Sequence, residues 1–211
     1  MLRLGLAVGG IRVHVDGRDL VPDEAGVILA SNHLSIADPI ILAAVVEQVV
    51  GRRTRYMFKS EALSWPILPR LLVAYGGFAV RRGQPDREAY RMAREVLETG
   101  DWLGVAPEGT RSRTGRLGEP KPGVSLLAMR SGAPVLPAGI WGTERLWPIG
   151  ARFPRLGTTV YVRFGEAFGP TQPEDADEIH TARREAIEAA TEDLMRRIAA
   201  LLPAEYRGRF G

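Results

Sequence analysis

The run Gly26-Val27-Ile28-Leu29-Ala30-Ser31-Asn32-His33-Leu34-Ser35-Ile36-Ala37-Asp38-Pro39 decides how this chain is read. Gly26 to Ala30 is a short apolar stretch of the kind that forms a buried strand. Ile40 to Val50 is apolar nearly all round, which predicts a well-buried helix. Ser31 to Pro39 is then a strand-to-helix turn, and it holds a histidine and an aspartate five positions apart. Such turns often carry functional side chains because a rigid scaffold aims them. Two readings of Asp38 are open. In one, Ser35-x-x-Asp38 is a capping box, Pro39 is tolerated in the first helical turn, and His33 is an ordinary loop residue. In the other, Asp38 accepts a hydrogen bond from one imidazole nitrogen and leaves the second free to take a proton from a substrate hydroxyl. Both can hold for Asp38 at once.

Outward from this turn, strand and helix patterns alternate. Leu4 to Val15 ends in the alternation Ile11-Arg12-Val13-His14-Val15 and reads as a half-buried strand, with His14 on its polar, surface phase. Tyr56-Met57-Phe58 reads as a short strand and Tyr75 to Val80 as a glycine-bearing one. Pro85 to Thr99 is a helix stopped by Gly100. Trp102 to Ala106 is a strand and Val124 to Arg130 a short helix. Pro134 to Ile140 is a strand whose Pro137 points to an edge or a bulge. Thr158 to Phe164 alternates as a strand. Glu174 to Leu202 is one long C-terminal helix. There are no repeats and no linker, so residues 1–211 form a single α/β domain.

Composition narrows the chemistry. The 211 residues suffice for one sizeable core. The chain has no cysteine, which excludes disulfides, thiolate metal sites and a cysteine nucleophile. His14, His33 and His180 do not form a ligand cluster, so a metal enzyme is not expected. Net charge is +3, and almost every cation is an arginine, the lysines being Lys59 and Lys121. The first 170 residues carry net +6 and the remainder net −3. A basic body suits an anionic partner. With no aromatic-basic nucleic-acid motif, that partner is a lipid or a phosphate rather than a nucleic acid. No secretory signal is evident. Ala62 to Val80 is largely apolar but is broken by Pro66, Pro69, Arg70 and Gly76-Gly77, unlike a membrane span.

Three further stretches combine glycine, a turn and a charge at a strand end: Gly76 to Arg82, Pro107-Glu108-Gly109-Thr110-Arg111, and Lys121-Pro122-Gly123 before a helix. Strand ends of an α/β sheet are where crevices form, and helix N-terminal amides attract anions. His33 as base with Arg82, Arg111 and Lys121 as an anion cradle is the functional expectation. Surface salt bridges, or an internal Glu108–Arg111 pair, are the plainer alternative.

Asn32-His33 with Asp38 five after the histidine, Gly76 to Arg82, Pro107 to Arg111 and a Pro134–Pro137 strand, in that order, resemble the 1-acylglycerol-3-phosphate acyltransferases within the glycerolipid acyltransferases. The resemblance covers roughly Val27 to Gly142; Ala79 stands where an aromatic is frequent. It implies a mixed sheet flanked by helices with a long C-terminal helix. It also implies transfer of a fatty acyl group from acyl-CoA or acyl-carrier protein to the free hydroxyl of 1-acyl-glycerol 3-phosphate, giving phosphatidic acid, with no cofactor beyond that co-substrate. His33 and Asp38 would be catalytic. Asn32, Gly76, Arg82, Glu108, Gly109, Thr110, Arg111 and Lys121 would bind substrate. The alternatives are another acceptor (glycerol 3-phosphate, another lysophospholipid or a glycolipid), or a non-catalytic peripheral lipid-binding protein, against which the His33/Asp38 pair argues. The expected partners are a lysophospholipid, an acyl thioester and the cytoplasmic face of a membrane. Bacterial members commonly carry a hydrophobic helix before the first block. Here the 31 residues before Asn32 read as strands, and Trp65 to Leu72 is the expected membrane-facing segment.

Overall fold

The computed structural model describes residues 2–6, 10–59, 77–80, 86–169 and 180–211. The eight strands among the described residues are β1 (Leu2–Leu6), β2 (Ile11–Asp16), β3 (Ile28–Ser31), β4 (Thr54–Lys59), β5 (Phe78–Val80), β6 (Trp102–Val105), β7 (Val135–Trp141) and β8 (Thr159–Phe164). They form one sheet in the order β1-β2-β8-β7-β3-β6-β4-β5. The five helices among the described residues are α1 (Asp38–Val50), α2 (Asp86–Glu98), α3 (Gly123–Ser131), α4 (Thr143–Leu146) and α5 (His180–Leu201).

The sheet is mixed, as expected. From β7 through β3, β6 and β4 to β5 all neighbours are parallel, whereas β1 with β2 and β7 with β8 run antiparallel. α1 carries the chain from β3 across one face to β4. α2 and α3 bring it back across the other, to β6 and then β7. Opposite directions on opposite faces are what right-handed crossovers require.

Residue alternation in β3 shows why it sits at the centre. Leu29 belongs to the core under α1, with Leu42, Val46 and Leu136. Ile28 and Ala30 belong to the core under α2, α3 and α5, with Val96, Leu127 and Ile198. All three β3 residues are fully buried, so the strand is apolar on both faces, as a covered parallel strand must be. Its C-terminal end, with those of β4, β5, β6 and β7, opens onto one edge of the sheet.

Three expectations change. The stretch read as one strand over Leu4–Val15 is a hairpin, β1 pairing back on β2. Alternation reports the period but not a reversal; Gly9-Gly10 was the turn signal, and Gly10 holds φ 69. β7 is central, so of the two alternatives at Pro137 the bulge holds and the edge does not. Pro137 is accommodated where the pairing with β8 breaks, between the Ala138–Phe164 pair and the isolated Val135–Phe168 bridge. Its ring nitrogen therefore interrupts no regular ladder. His14 is half-buried, its ring stacked on Tyr161 at 5.1 Å between centroids.

Candidate active site

β3 ends at Ser31, and the Asn32 side chain then imitates one more rung of sheet. Its Nδ2–H donates to the Ile140 carbonyl and its Oδ1 accepts the Ile140 N–H, each at 2.8 Å. The loop after β6 next grips the His33 peptide on both sides. His33 N–H donates to Glu108 Oε1 at 3.0 Å, and the Ser112 N–H donates to the His33 carbonyl at 2.7 Å.

The imidazole of His33 meets Asp38 in the first turn of α1, with Nδ1 at 2.8 Å from Oδ2. That oxygen also accepts the N–H groups of Leu34 at 2.6 Å and Ser35 at 2.8 Å. Both readings of Asp38 therefore apply: it caps the turn and orients the ring. Only half of a capping box forms. The Ser35 hydroxyl accepts the Ala37 N–H at 3.2 Å and donates to the Trp147 carbonyl at 2.8 Å instead of serving Asp38. The Asp38 side chain is 2% exposed and that of His33 25%. Oδ2 already accepts two backbone N–H groups and is acceptor to the ring as well, so Nδ1 keeps its proton and donates it in the hydrogen bond, and the free lone pair of the ring is on Nε2. Behind the pair, burial and the nearby Asp38 carboxylate push the Tyr56 phenol well above its ordinary range, so it stays a neutral hydroxyl.

Asn32 and Glu108 were both expected to bind substrate. In the structure the contacts of both side chains are with backbone groups around the site. Asn32 is buried and both ends of its amide serve Ile140. Glu108 is buried, with Oε1 on the His33 amide and Oε2 on the Gly118 N–H at 2.8 Å. They hold His33 in place. Nor does Glu108 pair with Arg111. Burial raises the Glu108 carboxyl above its usual value, against the two amides and the nearby His33, which pull it down.

Gly109 turns at φ 66, and a Cβ there would lie 3.1 Å from Cδ and 3.2 Å from Nζ of Lys121. The missing side chain is what lets Lys121 lie over this turn, anchored by its N–H to the Pro107 carbonyl at 2.8 Å. Thr110 and Lys121 are exposed and Arg111 is half-buried. Among the described residues neither Arg111 nor Lys121 has a carboxylate partner. Arg111 precedes Ser112, whose amide bonds His33, so the structure brings Arg111, Lys121 and His33 to one sheet edge. Gly76 and Arg82, and the Trp65–Leu72 segment, lie outside the described residues. Among the described residues no group of three or more His, Asp or Glu side chains would hold a metal.

Sequence reasoning missed the supporting residues Tyr56, Ser112 and Gly118. Each acts through a backbone group or through burial, and neither leaves a motif.

An oriented imidazole at the end of a parallel strand, with the cations Arg111 and Lys121 at the same sheet edge, is the outline of an acyl-transfer site. The chain belongs to the acyltransferase family, whose model matches residues 12–141. It is 31% identical to the 1-acyl-sn-glycerol-3-phosphate acyltransferase of Pseudomonas aeruginosa over 163 residues, 76% of this chain and 60% of that one. It is 26% identical to the enzyme of the same name from Bacillus subtilis over 193 residues, 92% of this chain and 88% of that one. The crystal structure of the 1-acyl-sn-glycerophosphate (LPA) acyltransferase PlsC from Thermotoga maritima superposes with a TM-score of 0.59 at 27% identity, covering 86% of this chain and 71% of that one. The chain spans 60% of the length of the Pseudomonas relative and 63% of that of the Borreliella burgdorferi one.

Proposed function

We propose that the protein transfers a fatty acyl group from a CoA or carrier-protein thioester to the free hydroxyl of 1-acyl-glycerol 3-phosphate. The observation that carries this reading is the 2.8 Å contact between His33 Nδ1 and Asp38 Oδ2, which leaves Nε2 as an oriented base. Nε2 accepts the hydroxyl proton as the hydroxyl oxygen forms its bond to the thioester carbonyl carbon. The resulting imidazolium is stabilised by the buried Asp38 carboxylate. Collapse of the tetrahedral oxyanion breaks the C–S bond, and the departing thiolate takes the proton from the ring. No acyl-enzyme is needed, and the chain has neither a cysteine nor a G-x-S-x-G elbow. Arg111 and Lys121, with Arg82, supply cations for the acceptor phosphate. Because that acceptor resides in a bilayer, the chain works at a membrane surface, on the cytoplasmic side where acyl thioesters are found. No helix among the described residues is long and apolar enough to cross a membrane.

Purified protein supplied with acyl-CoA and a panel of lysolipids tests the reading. 1-Acyl-glycerol 3-phosphate should be the preferred acceptor. His33→Ala should lose about 10²–10⁴-fold in turnover at an unchanged melting temperature. A His33→Ala rate within about twofold of the parent would refute the base assignment.

A further inference from the structure

Exposed apolar side chains are unevenly placed on this molecule. Among the described residues the large hydrophobics open to solvent are Leu156 at 71%, Phe153 at 63%, Ile149 at 47% and Leu20 at 37%. Three of the four stand in one loop, residues 147–157, between α4 and β8. Scattered singly such residues need no explanation; gathered, they mark a contact surface. The loop is also basic. From Arg145 to Gly165 there are four arginines and no aspartate or glutamate. Arg145 and Arg163 pair with Glu144 and Asp16. Arg152 and Arg155 are exposed and have no carboxylate partner among the described residues.

The loop is built. Arg155 N–H donates to the Leu146 carbonyl at 2.7 Å, Ala151 N–H to Pro148 at 3.0 Å, and the Trp147 indole N–H to Ala151 at 3.0 Å. Pro148 and Pro154 further restrict its backbone. It leaves the sheet at the edge where β3 and β7 both end. The Ser35 hydroxyl on the Trp147 carbonyl at 2.8 Å ties it directly to the His33–Asp38 turn.

We infer that residues 147–157 dock the protein onto an anionic lipid surface, with Ile149, Phe153 and Leu156 entering the headgroup region and Arg152 and Arg155 meeting lipid phosphates. Apolar side chains flanked by unpaired cations are the combination that interfacial binding uses, and a guanidinium holds phosphate through paired hydrogen bonds. A second copy is the poorer occupant. A two-fold contact sets the same patch against itself, bringing Arg152 and Arg155 near like charges with no acid in the loop to offset them. The purpose of docking rests on the lipid-acceptor reading above, since it sets the His33 turn where a bilayer presents its hydroxyl. The binding itself is independent of the chemistry.

Cosedimentation with phosphatidylglycerol/phosphatidylcholine vesicles and with pure phosphatidylcholine vesicles tests the inference. The parent should bind the anionic vesicles and be released as salt is raised. The triple variant Ile149→Ser/Phe153→Ser/Leu156→Ser should bind about tenfold more weakly. Arg152→Ser and Arg155→Ser should each weaken binding by about fivefold. Melting temperatures should stay those of the parent. Parent-like binding by the triple variant overturns the inference. So does equal binding of the parent to neutral and anionic vesicles. A triple variant that loses self-association in sedimentation velocity, yet keeps vesicle binding, would assign the loop to a second copy and overturns it too. Lost vesicle binding in the variant, with no turnover by either protein, would support docking while refuting the acyl-transfer reading.

Discussion

Oδ2 of Asp38 accepts from the Leu34 and Ser35 amides and from the His33 ring, so one oxygen serves both the turn and the chemistry. This separates two substitutions that motif reasoning treats alike. Asp38→Ala strands two backbone N–H groups, at a cost of about 1–3 kcal/mol, and also frees the ring. It should lower the melting temperature as well as turnover, whereas His33→Ala lowers turnover alone. An Asp38→Ala protein as heat-stable as the parent would remove the capping role. Glu108 makes a second residue-scale case. Its carboxyl is raised by burial, so the folded chain binds this proton more tightly than the unfolded chain does. The sign follows from linkage: the contribution favours folding below the ordinary glutamate value of 4.5 and is withdrawn as pH rises through the raised one. The stability of the parent relative to Glu108→Gln should therefore fall as pH is raised from 4.5, read from paired denaturation curves. A difference that grew with pH would mean that the two amides outweigh burial.

Elements are aligned to the site by contacts that depend on small residues. Tyr56 on β4 stands opposite Gly104 on β6, and a Cβ on Gly104 would lie 2.2 Å from the tyrosine ring. Glycine inside a strand weakens it, and here the vacancy is filled by the ring, which rests on the β6 backbone. Gly104→Ala must displace that ring from a packed core. A loss of about 1–3 kcal/mol is expected by thermal or chemical melting. Tyr56→Ala in the same chain should recover part of it, because the two residues compete for one volume. Additive losses would place the strain elsewhere. At the other side of β3, the Asn32 amide joins the strand end to β7 through Ile140. The turn that holds His33 is thus fastened to both neighbouring strands, through Asn32 to β7 and through Glu108 and Ser112 to the loop after β6.

Across the whole molecule, the segment after α5 supports this arrangement. The C-terminal Tyr206 carbonyl accepts the Leu117 N–H at 2.8 Å, next to the Gly118 amide that Glu108 uses. The Tyr206 hydroxyl donates to Glu144 Oε1 at 3.0 Å, and burial with that carboxylate pushes the phenol up to about 12. The positive balance lies in the first 170 residues, where the strand ends gather Arg111 and Lys121 near His33. If these cations serve the acceptor phosphate, Arg111→Ala should raise KM for a phosphorylated acceptor, because a charge-assisted contact of about 1.5–3 kcal/mol is lost. It should matter far less for an acceptor without phosphate. Equal impairment with both acceptors in steady-state kinetics would move Arg111 to the donor site or to the scaffold.

The α/β class, the strand–turn–helix around His33, the long C-terminal helix and the pairing of His33 with Asp38 were legible in the sequence. Each is local: periodicity sets the elements, and five positions across one turn keep the ring and the carboxylate within reach whatever the rest of the chain does. The hairpin of β1 with β2 and the central place of β7 were not legible, because alternation encodes which face a residue takes and not which strand lies beside it. Asn32 and Glu108 show the same limit at the site. Their residue types fit substrate binding as well as support, and only the approach of Ile140, of the Gly118 amide and of the His33 peptide itself reveals the supporting contacts. Burial likewise raised the Tyr56 phenol, and exposure singled out Ile149, Phe153 and Leu156. Both are properties of how distant segments cover one another, and a single chain read in order contains no measure of them.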